Sequence, residues 1–196
     1  MSKERRMLTL AFAGLAGVVI WGALSPRPSA ASPSARFNPK VALLTYDVAA
    51  GTEGGSNTGG TWTTRSLNTE AFDPDNIVTL SANRFTLKAG KYLVEAQQTI
   101  FDDIGIPKGF RGRLRNITDN LTAGVSLSVR LHEETNESAT ISCPIPATLL
   151  DLTKDTTFEL QYFCESTDTN ARGLGYPLPG SGEVERYASV SISKLD

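Results

Sequence analysis

After residue 31, apolar residues recur at every second position in short runs, and no window holds a 3.6-residue apolar period. Side chains on a strand alternate between its two faces, so this pattern predicts half-buried strands rather than helices. In "RFTLKAGKYLVEAQ" (Arg84–Gln97), Phe85 and Leu87 alternate with Thr86 and Lys88. Ala89-Gly90 interrupts, and Tyr92, Val94 and Ala96 then alternate with Lys91, Glu95 and Gln97, predicting two strands joined by a tight turn. The same reading predicts strands at 40–48, 61–67, 76–80, 110–117, 124–133, 139–145, 157–165 and 184–195. Between them lie "DPDN", "IPKG", "TDNL", "TKDT" and "PLPGSGE", which carry the Gly, Pro and Asx chemistry of turns. Many short strands so punctuated predict an all-β sandwich or barrel, with no repeat and no second domain.

The N-terminus follows other rules. "MSKERR" is basic, Met7–Leu24 is uncharged and largely apolar, and "SPRPSAASPSA" is rich in small residues. That order predicts export. Ser29-Ala30-Ala31 suits cleavage after Ala31, while the length of the apolar run also suits an uncleaved anchor across a bilayer. The expected organisation is therefore a signal peptide or signal anchor over 1–31, a Pro/Ser/Ala-rich tether over 32–39 and one domain over 40–196. An exported chain is secreted or held at the cell surface. It meets a membrane only if the segment stays in place.

With 196 residues and a net charge of −2, the chain has room for a self-sufficient core. No basic patch stands out in the linear sequence, so nucleic acid is not an expected partner. The glycine-rich stretch Gly51–Gly60 lacks the Gly-Lys-Ser/Thr of a phosphate loop and runs into a strand, which predicts a flexible connection. His132 is the one histidine, too few for a two-histidine zinc site, and no serine has a nucleophile-elbow context. The acidic pairs Asp102-Asp103 and Glu133-Glu134 resemble glycosidase or cation-binding carboxylates only superficially, since neighbours on a strand point to opposite faces. No catalytic constellation, cofactor or metal site is expected. Glycosylation sequons occur at Asn116, Asn120 and Asn136.

Two features break the simple sandwich pattern. Leu93 and Phe101 sit opposite the apolar face formed by Tyr92, Val94 and Ile100, and Phe163 sits opposite Phe158, Leu160 and Tyr162. A second apolar face predicts a second buried surface, and a subunit interface is the economical choice. Cys143 and Cys164 are the only cysteines. If "LTKD" (Leu152–Asp155) closes a simple hairpin, the two face each other within disulfide reach, and a bridge would add about 3 kcal/mol.

Three stretches together resemble one family. Thr61–Gln97, "RLRNITD" (Arg113–Asp119), and "FELQYFCES" (Phe158–Ser166) followed by "YASVSISKL" (Tyr187–Leu195) are similar to the C1q/TNF-like jelly-roll domains of phage tail fibres and related secreted bacterial proteins. The resemblance spans about residues 40–195. It implies a two-sheet antiparallel jelly roll that forms a homotrimer and serves recognition or adhesion of a protein or glycan through its loops, without catalysis. A carbohydrate-active enzyme using Asp102 or Glu134, and a structural surface or virion fibre subunit, are the rival readings. Relatives often carry a His-Arg pair where this chain has Tyr162-Phe163, so no polar role transfers there. The family topology also allows the "LTKD" connection to cross between sheets, which would change the spacing of the cysteines.

Overall fold

A computed structural model describes residues 38–102, 108–131 and 138–195. Residues 1–37, which include the expected export segment, lie outside them, as do Asp103, His132, Glu133, Glu134 and Asn136. The described residues are all strand, turn and loop. In chain order the strands are β1 Lys40–Val48, β2 Trp62–Thr64, β3 Thr69–Phe72, β4 Val78–Ser81, β5 Arg84–Leu87, β6 Gly90–Asp102, β7 Lys108–Asn116, β8 Leu121–Val125, β9 Val129–Leu131, β10 Ala139–Leu152, β11 Thr156–Cys164 and β12 Glu185–Lys194. They form two antiparallel sheets. One runs β10-β6-β12-β1-β3; the other runs β4-β5-β11-β7-β8, with β2 also pairing β11 and β9 pairing β7.

Alternation places one face of each sheet in the core. Ala42, Leu44, Tyr92, Val94, Val190 and Ile192 enter from the five-stranded sheet, and Phe85, Leu87, Leu114, Phe158 and Leu160 from the seven-stranded one. Phe85 and Phe158 are register partners whose rings stack at 5.5 Å. A second cluster at one end holds Ile100, Phe110, Cys143, Tyr162, Cys164 and Leu174. This is the expected jelly-roll sandwich.

Two tight connections do not close hairpins, and at "LTKD" the chain crosses between sheets as the family resemblance allowed. β5 and β6 flank Ala89-Gly90 yet lie in different sheets, and so do β10 and β11 around "LTKD". Short connections bring these strands together in sequence, but each strand finds its hydrogen-bonding partner elsewhere: β6 pairs β10 and β12, and β11 pairs β2, β5 and β7. The register that would oppose Cys143 and Cys164 is therefore absent. Both are buried in the end cluster as thiols, with no disulfide between them. Cys143 Sγ donates to Ser126 Oγ at 3.0 Å, and burial pushes its thiol up from the ordinary range, so it stays protonated and inert. Unreduced protein unfolded in guanidinium should titrate two thiols with a chromogenic disulfide reagent. A count of zero would restore the bridge.

Candidate interaction faces

The outward face of the five-stranded sheet is made of small and polar residues at its centre. β12 presents Ser189, Ser191 and Ser193, and the groove beside them, about 350 Å³, is bordered by Glu95, Gln97, Pro144 and Pro146. Leu93 opposes Ser193 on one side and Leu149 on the other. Leu149 is 69% exposed. Sequence reasoning picked out Leu93 but not Leu149, because the irregular register between Ile145 and Thr148 obscures the alternation around Pro146.

The three residues expected to share one surface do not. Phe101 does leave β6 on the Leu93 side, but its ring stacks on Tyr176 at 5.0 Å beneath the Arg172 guanidinium and is buried. The chain itself covers it. Phe163 belongs to the opposite sheet, where it packs on Trp62 at 5.7 Å. Leu93 and Phe163 both keep outward, partly open positions, but on opposite sheets.

The glycine-rich stretch is not the loose loop its composition predicts. It lies against the β11–β12 connection, with Gly54 N donating to Gly175 O, Gly55 N to Ala171 O, and Asn57 and Asp168 exchanging backbone hydrogen bonds. Glycine is needed for closeness: a Cβ on Gly59 would lie 2.5 Å from the Ser166 carbonyl carbon. Buried Arg65 anchors the same region, its Nη2 donating to the carbonyls of Leu174 at 2.8 Å and Tyr187 at 3.1 Å. Burial lowers its pKa to about 10, which leaves it charged at neutral pH.

On the outward face of the seven-stranded sheet, Arg111, Arg113 and Arg115 occupy alternate positions of β7. The signal was present in "RGRLR", whose period of two puts all three on one side, but a whole-chain charge count hides it. A hydrogen-bonded row holds the centre. Arg84 Nε donates to Glu159 Oε1 at 2.6 Å, Thr64 Oγ1 and Gln161 Nε2 donate to Glu159 Oε2, and Arg113 Nε donates to Gln161 Oε1 at 2.7 Å. The Arg113 guanidinium lies 4.1 Å from the Trp62 ring centre. Burial works against the Glu159 charge, but the bonds from Arg84, Gln161 and Thr64 outweigh it and hold the carboxyl below its ordinary range.

Of the expected carboxylate pairs, only the backbone of Asp102 is described, at the end of β6. No group of three or more His, Cys, Asp or Glu that could hold a metal occurs among the described residues. Asn116 is buried and locked to Asp119 by hydrogen bonds in both directions, so its sequon is structural rather than accessible.

No protein-family model matches the sequence, and neither does any curated protein. Among solved structures, murine APRIL crystallised at pH 5.0, a TNF-family jelly roll, aligns with a TM-score of 0.51 at 12% identity, covering 81% of this chain and 100% of that one. The domain is a TNF/C1q-like jelly roll. A second murine APRIL structure, at pH 8.0, gives a TM-score of 0.48 at 13% identity over the same shares. At such identity the likeness is one of fold. In this TNF/C1q-like domain, the two outward sheet faces differ: one is lined by serines beside the leucine pair Leu93 and Leu149, the other carries the arginine row.

Proposed function

We propose that this TNF/C1q-like domain is a non-enzymatic homotrimeric recognition module, exported by its N-terminal segment and displayed in secreted or anchored form outside the cell. The observation that carries the assembly is the pairing of two unlike apolar surfaces. One is the leucine pair Leu93 and Leu149 on the outward side of the five-stranded sheet. The other is the sandwich edge where β8 meets β10, with Leu121, Val125 and Leu127 exposed, Leu127 at 74%. A closed ring joins one surface of each subunit to a different surface of the next, so two complementary patches per chain suit cyclic assembly. Isolated exposed apolar residues are ordinary, but a grouped set on an edge invites cover.

Light scattering on the purified chain should return three copies, and a monomer overturns the reading. Open-ended polymers would favour a structural subunit instead. Export predicts an N-terminus near Ala31 or Ser32 in protein from the native host, while full-length chain in the membrane fraction would establish the anchor.

A further inference from the structure

We propose that the outward face of the seven-stranded sheet binds an anionic polysaccharide, with Arg113 at the centre and Arg111 and Arg115 on either side. The proposal names a ligand for the recognition role above and places it on a sheet face rather than on loops. It does not require trimers, because each chain carries the whole row.

Alternate positions on a strand stand about 7 Å apart, so β7 offers three guanidinium groups at regular intervals on a rigid support. Arg113 is set in advance of any ligand. Its Nε is committed to Gln161, which Glu159 holds in turn, and its plane is fixed near Trp62. Fixing the side chain beforehand removes an ordering cost from binding. The terminal nitrogens of Arg113 are then available as a fork, the geometry that suits carboxylate and sulfate groups. Two carboxylates described nearby are already engaged: Glu159 with Arg84, and Glu165 with Arg130 at 3.1 Å. The positive row thus stands out from a chain of net charge −2.

The surroundings choose among polyanions. β7 is flanked by β11 on one side and by β8 and β9 on the other, so the strand that carries the row has no open backbone edge for an acidic peptide to pair with. The Trp62 ring is engaged by Arg113 and Phe163, which takes away the stacking platform that single-stranded nucleic acid uses. A saccharide chain with regularly spaced anionic groups needs neither.

The test uses the full chain with Trp21→Phe, so that emission reports on Trp62. Heparin and polygalacturonate are titrated at 50 mM salt, with oligothymidylate and polyglutamate compared at equal charge. Either glycan should change Trp62 emission, and its affinity should fall about 20- to 40-fold between 50 and 200 mM salt if three contacts displace counterions. The Arg111→Gln/Arg113→Gln/Arg115→Gln variant should lose this binding while its circular dichroism is retained. Arg111→Gln alone, at an exposed site, should lower the salt exponent by about one and covers the case of a misfolded triple variant. The proposal fails if neither glycan binds, if the variants bind like the parent, or if oligothymidylate or polyglutamate binds as tightly. Because oligomeric state is read separately, a trimer without glycan binding would refute this inference and leave the assembly intact.

Discussion

A Leu93→Asp/Leu149→Asp double variant is expected to remain folded and to run as a monomer. The two residues face each other across β6 and β10 on the outward side of the five-stranded sheet. Fully burying a leucine is worth roughly 1.5–3 kcal/mol, and a three-fold ring repeats each burial three times. Aspartate removes that gain and adds a charge whose desolvation an apolar contact cannot compensate. The fold should tolerate the change. The adjacent residues Tyr92, Val94 and Leu150 point the other way and are buried between the sheets, and Leu149 is mostly exposed in the single chain. Light scattering reads the assembly and circular dichroism the fold. A variant that stays trimeric would place the interface elsewhere, and one that unfolds would make Leu93 a core residue.

Gly59→Ala should destabilise the domain by about 2–4 kcal/mol, a large share of what holds a domain together. The added methyl would meet the Ser166 carbonyl carbon and Thr167 nitrogen at 2.5 and 2.6 Å, both backbone atoms. They cannot swing aside as a side-chain tip could. Moving them would disturb the bond from Gly59 N to Thr167 Oγ1 at 2.9 Å and that from Gly60 N to Cys164 O at 2.8 Å. Overpacking of this kind commonly costs 1–3 kcal/mol, and the coupled hydrogen bonds add to it. Gly180→Ala is the useful comparison. Nothing lies within 4 Å of its added methyl, so only the backbone conformation at φ +87° is penalised, by about 1 kcal/mol. Urea unfolding of both variants decides the matter. If Gly59→Ala costs no more than Gly180→Ala, the stretch is as loose as its composition suggests.

The contrast at Gly59 shows how the sequence informs and misleads. Glycine density predicts freedom, because glycine has no Cβ to limit its backbone. Here the same lack of a Cβ permits close packing against a segment more than a hundred residues away. Nothing local distinguishes the two uses. Phe101 is similar: alternation correctly puts it opposite Ile100, and only Tyr176 and Arg172, arriving from the β11–β12 connection, show that it is covered. The arginine row was legible in "RGRLR" once β7 was known to be a strand, but the net charge averaged it away.

By itself, the sequence determined that the domain is all-β, a sandwich or a barrel, and which side chains share a face of each strand. Both follow from the period of two and from turn chemistry, which act over a few residues. The tertiary structure decided which strands pair. β5 to β6 and β10 to β11 look like hairpins, yet each pair splits between sheets. A short turn can either fold a strand back in its own sheet or carry it across to the other, and burial against distant partners selects between them. That choice separated Phe163 from Leu93, removed the register that would have joined Cys143 to Cys164, and gave the arginines of β7 a face of their own.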